Sequence, residues 1–149
     1  VSANAQEGIE WMQGRYRVSG SLVAGNRTGA RFTDADGHLT LCRFHTNRAH
    51  GVELSAGQVR IRNSSFTGNG GVGLLLEQVQ GMMAGSALHD NQAGNLENRG
   101  QEPFPALLNW WGSADQQRIA AGILTAPRQD GLPLVPFVPF LKERPATAP

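Results

Sequence analysis

Apolar and polar residues alternate in short stretches along this chain, and the stretches recur at a fixed interval. Ile9 and Trp11, Ala30 and Phe32, Val52 and Leu54, and Leu74 and Leu76 form one set of alternating pairs. A glycine opens each of them: Gly8, Gly29, Gly51, Gly73. A period of two over a few residues predicts short strands with one buried side. Further along each unit stand two more apolar columns, Val18, Leu39, Ile61, Met83 and Val23, Phe44, Phe66, Leu88. A small residue lies between them: Ser21, Cys42, Ser64, Ser86. Near the close of each unit stands an asparagine, Asn26, Asn47, Asn69 or Asn91, at spacings of 21, 22 and 22 residues.

Such a unit is too short for two packed helices. A few strands joined by Gly and Asn turns make one coil of a solenoid, and stacking coils buries a continuous apolar core. The repeat predicts an all-β solenoid with coils near 8–28, 29–50, 51–72 and 73–94 and a partial coil over 95–112. Identical positions then lie about 4.8 Å above one another. An inward asparagine bonds the amide or backbone of the next coil, and Asn also tolerates the left-handed backbone of a sharp corner. Asn26, Asn47, Asn69 and Asn91 are therefore expected to be a structural ladder. The Ser21/Cys42/Ser64/Ser86 column is expected to permit a tight turn, with Cys42 a packed thiol and not a nucleophile.

Composition adds limits. Nineteen glycines in 149 residues fit regular turns. Thirteen basic and 12 acidic residues give a net charge of +1, so no bulk field drives binding to nucleic acid or to a membrane. A single cysteine excludes an internal disulfide framework and a multi-cysteine zinc site. No apolar run reaches the length of a membrane span. Residues 1–7 are small and polar and show no basic-then-apolar leader. The first coil is expected to stand open, to upstream coils of a longer protein or to a partner.

Two stretches, GVELSAGQVRIRNSSFTGNGGVGLLLE (51–77) and LLNWWGSADQQRIAAGI (107–123), resemble right-handed parallel β-helix repeat proteins of the pectate-lyase-like superfamily. The first is similar to a standard coil of that group. The second is similar to the asparagine–tryptophan–tryptophan–glycine ending found after the last coil of many bacterial and archaeal members. The resemblance implies a right-handed parallel β-helix over 1–112 and a cap over 113–149, made of a short helix and a hydrophobic tail. PLVPFVPFL (133–141) is similar to that tail. The group includes lyases, hydrolases, epimerases, adhesins and scaffolds, so the resemblance implies fold and not activity.

The residues give the cap a physical reading. Trp110 and Trp111 are expected to plug the open apolar cross-section; the alternative is a sugar-stacking platform. Ser113 and Gln116 form a capping box, with Ile119, Ile123 and Leu124 on the buried side of the helix. Pro127, Pro133, Pro136 and Pro139 forbid a further helix or central strand. Phe137, Phe140 and Leu141 are expected along or under the helix, and residues 145–149 to form a disordered terminus or linker.

Chemistry belongs to the outward columns. One reads Arg17, His38, Arg60, Met82; two residues earlier stand Arg15, Asp36, Gln58, Gln80, and two later Ser19, Thr40, Arg62, Ala84. Together they form a basic, hydrogen-bonding strip. Arginine forks suit carboxylates and sulfates, the anionic groups of acidic sugars. Arg17, His38, Arg60, Arg62 and Asp36 are the candidate ligand-binding residues. Asp34, Asp36 and His38 would offer a base and part of a Ca²⁺ site, against the reading of TDADGH (33–38) as a turn. No carboxylate stacks above Asp36, so calcium is weakly supported, and neither a metal site, a cofactor nor a catalytic residue is expected. His45, His50 and His89 are expected to be solvated turn or face residues. Glu10, Arg31 and Glu53 predict a surface charge ladder.

Two functional readings follow. The first is a noncatalytic scaffold or binding module, extracellular, at the cell surface or periplasmic, presenting a face to acidic polysaccharide or to a protein partner. The second is the C-terminal part of a polysaccharide-modifying enzyme, a lyase or uronate epimerase.

Overall fold

The computed structural model describes residues 1–128 and 130–149. The strands are β1 (Glu7–Ser19), β2 (Leu22–Ala24), β3 (Thr28–Thr40), β4 (Arg43–His45), β5 (Val52–Ser55), β6 (Gln58–Arg62), β7 (Ser65–Thr67), β8 (Val72–Glu77), β9 (Gln80–Ala84), β10 (Ala87–His89) and β11 (Gly94–Asn98). A helix, α1 (Gln116–Ala121), and a last strand, β12 (Ile123–Thr125), follow. Each named strand pairs in parallel with the strand one coil away. The chain is a β-solenoid with about 22 residues per coil.

The coil has three faces. The first halves of β1 and β3 stack with β5, β8, β11 and β12. Their second halves stack with β6 and β9. The third face is β2, β4, β7, β10. Between faces the backbone turns through left-handed residues that recur in register. The first corner has Gln13, Asp34, Ala56 and Gln78 at φ of 66°, 52°, 59° and 56°. The second has Gly20, Leu41, Asn63, Gly85 and Leu108, and the third Gly25, Thr46, Gly68 and Asp90, all at positive φ. The ladder asparagines are not themselves the left-handed residues. The residue before each one takes the corner, which leaves the asparagine for side-chain bonding.

That bonding closes completely. Asn47 Nδ2 donates to Asn69 Oδ1 at 3.0 Å and Asn69 Nδ2 to Asn91 Oδ1 at 2.9 Å. The same Oδ1 atoms also accept the backbone N–H of the asparagine one coil earlier. The second amide proton reaches back to a backbone carbonyl, as from Asn69 to Phe44 at 3.2 Å. The ladder extends to Asn4, whose N–H and Nδ2 both reach Asn26 Oδ1 at 2.9 Å. Residues 1–3 already run beside β2, with Ser2 paired to Ala24. The serine column is a second ladder: Ser64 Oγ accepts from Cys42 N, Ser86 Oγ from Ser64 N, and Asn109 Oδ1 from Ser86 N.

Inward columns fill the core. Val23, Phe44, Phe66 and Leu88 are fully buried, and the Phe44 and Phe66 rings stack at 5.3 Å. Trp11 departs from its column. It is 45% exposed, because Tyr16 and not Trp11 covers Phe32, ring on ring at 3.9 Å. Cys42 is buried, and that burial pushes its thiol up despite backbone hydrogen bonds. A thiol reagent is expected to label Cys42 only as the chain unfolds. Labelling in native buffer at the rate of a free thiol would place the residue at the surface.

The C-terminal end departs from the cap the residues predict. Asp115, not Ser113, is the N-cap of α1, its carboxylate accepting from Gln117 N and Arg118 N. Only Ile119 is the helix's buried apolar residue; Ile123 and Leu124 belong to β12, which pairs with β11. The tryptophans split: Trp111 is buried against Phe137, while Trp110 pairs with Ala87 and stays half-buried. The tail forms another rung, since Phe104, Ala106 and Leu108 donate their N–H groups to Leu134, Pro136 and Pro139 carbonyls. Prolines keep their carbonyls but offer no N–H, so the tail accepts from the preceding segment without forming a strand of its own. The 145–149 segment is not a free linker: Ala148 is buried and Pro149 O accepts from Arg144 at 2.6 Å.

Candidate functional site

The strip lies on the second face. Arg15 pairs with Asp36, Arg17 with His38 and Ser19 with Thr40. His38 then pairs with Arg60, and Thr40 with Arg62. Gln80, Met82 and Ala84 continue the three rows. Arg15, Arg17, Asp36, His38, Gln58, Arg60 and Arg62 are all exposed. The five candidate residues therefore stand together, within three coils.

A shallow groove runs between the rows. A cavity of about 480 Å³ is lined by Arg15, Tyr16, Arg17, Asp36, Gly37 and His38. A second, of about 190 Å³, shares Asp36, Gly37 and His38 and adds Gln58, Val59 and Arg60. Gly37 is required here by close approach: a Cβ would sit 2.5 Å from Cγ of Tyr16. Tyr16 heads a column that continues as Gly37, Val59 and Gly81. Burial pushes its phenol far up, with the Asp36 carboxylate adding to the shift. Its hydroxyl has no partner among the described residues. The sequence marks Tyr16 only as one large aromatic heading a column of glycine and valine.

The arginines of the strip differ from most others. Arg27 and Arg31 both reach Glu7, and Arg31 also holds Glu53 at 2.9 Å. Arg48 donates to backbone carbonyls of Asn4 and Ala5. Arg99, Arg118 and Arg128 meet Glu97, Asp115 and Asp130, and Arg144 reaches His89. Arg15, Arg17, Arg60 and Arg62 make no ion pair and no side-chain hydrogen bond among the described residues, and Arg43 behaves likewise on the third face. On the first face the Arg31–Glu53 part of the expected charge ladder is present, while Glu7 rather than Glu10 is the second carboxylate on Arg31.

The other histidines do not join the strip. His50 is no solvated turn residue: its Nδ1 accepts the N–H of Val72 at 2.9 Å. His45 lies on the third face, its pKa lowered by burial and then by Arg43. His89, on the same face, holds Asp90 at 2.6 Å and meets Arg144 through Nε2. Asp34 takes the corner that turns the chain within β3, while Asp36, beyond the corner, accepts Gln58 N–H of the next coil through Oδ1 at 2.9 Å. Among the described residues no three His, Cys, Asp or Glu side chains come together as metal ligands. No helix of the described residues is long and apolar enough to cross a membrane.

The model of one protein family, the right handed beta helix region, matches residues 1–99. The chain belongs to the right-handed β-helix family. No curated protein and no solved structure matches it. In this β-helix the unpaired arginines stand on the outward columns of the matched coils.

Proposed function

We propose that this β-helix is a noncatalytic binding module, exported to the cell surface or periplasm, whose second face takes an acidic polysaccharide laid along the solenoid axis. The observation that carries this reading is the set of four exposed guanidiniums, Arg15, Arg17, Arg60 and Arg62, with no internal partner among the described residues. A guanidinium is always charged at physiological pH and presents a fork that fits a carboxylate or sulfate. Elsewhere the chain satisfies most of its arginines, so the strip offers the charge an external anion would meet. The coil rise, about 4.8 Å, is of the order of one sugar unit, so a polymer along the axis meets donors every one or two units. Among the described residues Asp36 is the single carboxylate lining the groove, and Tyr16 is buried beneath it, which supports binding over acid–base chemistry.

Binding is expected to be weak, since a few exposed contacts must offset the cost of association. It should fall as salt rises. It should fall again below about pH 4, as the polymer's carboxylates protonate. Calorimetry with polygalacturonate and alginate at low salt tests the reading, on the native chain and on the Arg17→Ala, Arg60→Ala double variant. The expected result is salt-sensitive heat from the native chain that the double variant loses. Equal binding by both proteins, or no heat from the native one, would leave the strip a solvated surface.

A further inference from the structure

Asp36 is an anion set in the middle of a cationic strip. Its Oδ1 is fixed by the N–H of Gln58 at 2.9 Å, which orients the carboxylate. Although Arg15 is its register partner and Arg17 lines the same cavity, neither forms an ion pair with it among the described residues. Oδ2 is left without a bond there, on an exposed residue. Asp36 also lines both lobes of the groove, so a ligand filling either lobe passes it. A bare polyanion crossing this point meets a like charge, which disfavours it. A ligand that carries hydroxyls beside its anionic groups donates a charge-assisted hydrogen bond there instead.

The row Arg15, Asp36, Gln58 and the row Arg17, His38, Arg60 are two residues apart along the strands, roughly 7 Å. A pyranose acid bears its carboxylate and its ring hydroxyls on different edges. One ring lying across the groove meets a guanidinium of one row with its carboxylate and Asp36 of the other with a hydroxyl. We propose that Asp36 is the specificity-determining acceptor of the groove, selecting hydroxylated uronate-type chains over bare polyanions. This rests on the reading of the strip as a polyanion-binding surface.

Asp36→Asn is the informative substitution. It is isosteric, and its amide oxygen keeps the bond from Gln58 N–H, so the coil stays intact; an unchanged melting curve verifies this. Affinity is measured by calorimetry at low salt for polygalacturonate and for polyacrylate of matched length, a polycarboxylate without hydroxyls. The native chain is expected to prefer polygalacturonate. Asp36→Asn should lose about tenfold on polygalacturonate, the size of a lost hydrogen bond to a charged group. The same variant should gain several-fold on polyacrylate, because the like charge is gone. Shifts in opposite directions separate selection from a structural role, which would move both polymers alike. Equal native affinity for the two polymers, or a shift of the same sign for both, overturns the assignment of Asp36 and leaves the strip as a polyanion site. Failure of the native chain to bind either polymer overturns the strip and Asp36 together.

Discussion

Gly51→Ala is expected to lower the stability of this β-helix by about 3 kcal/mol, the upper end of the range for overpacking a fixed site. A Cβ built at Gly51 lies 2.5 Å from the carbonyl oxygen of Gly73 and 2.9 Å from Asn69 Nδ2. Neither neighbour is free to retreat. The carbonyl belongs to the adjacent coil's backbone, and the amide is held by its own ladder bonds to Phe44 and Asn91. The same geometry recurs at Gly8 against Asn26, Gly29 against Asn47 and Gly73 against Asn91. The glycine column thus exists because the backbone of the next coil and the asparagine ladder together occupy the space of its missing side chains. Gly20→Ala is the control. Gly20 is left-handed at φ 59° with nothing within 4 Å of its added Cβ, so the substitution costs only the backbone term, about 1 kcal/mol. Chemical denaturation of the two variants gives the comparison. Equal losses would mean that the ladder does not constrain Gly51.

Asn69→Ala is expected to cost about 2–3 kcal/mol, from buried polar groups left without partners. The amide of Asn69 serves more than one bond. Its Oδ1 accepts from both Asn47 N and Asn47 Nδ2, and its Nδ2 donates to Phe44 O and Asn91 Oδ1. Truncation removes the shared acceptor of two Asn47 donors and the amide donor to Phe44 O and Asn91 Oδ1, at a position that is itself fully buried. The damage should spread to both adjacent coils, read as faster amide exchange at Asn47 as well as around position 69. A loss within error of zero, with exchange at Asn47 unchanged, would remove Asn69 from the ladder.

The coils were legible because a solenoid repeats its constraints. Phe44 and Phe66, or Asn47 and Asn69, occupy equivalent surroundings, so one column states the same requirement several times over. The outward strip was legible for the same reason, since register fixes Arg17, His38 and Arg60 above one another. What escaped was whatever happens once. Asn4 and Asn109 end the two ladders, but each stands outside a full unit and matches only part of its column. Tyr16 takes over the cover of Phe32 at one position only. The prolines rightly exclude a further strand from the tail, but they do not reveal that Leu134, Pro136 and Pro139 accept N–H groups of the preceding segment through their carbonyls. Pairing among the arginines was not legible either. Glu7 rather than Glu10 takes Arg31, and this is decided by how the side chains reach across the stack.

The most direct test of the second face as a polyanion-binding surface is an amide NMR titration with polygalacturonate at low salt. Shifts are expected only in residues 15–19, 36–40 and 58–62, in the three stacked strands of the second face. Those shifts should reverse on adding salt and be absent in the Arg17→Ala, Arg60→Ala variant. Shifts centred instead on Glu10, Arg31 and Glu53 of the first face, or an unchanged spectrum at saturating polymer, would contradict it.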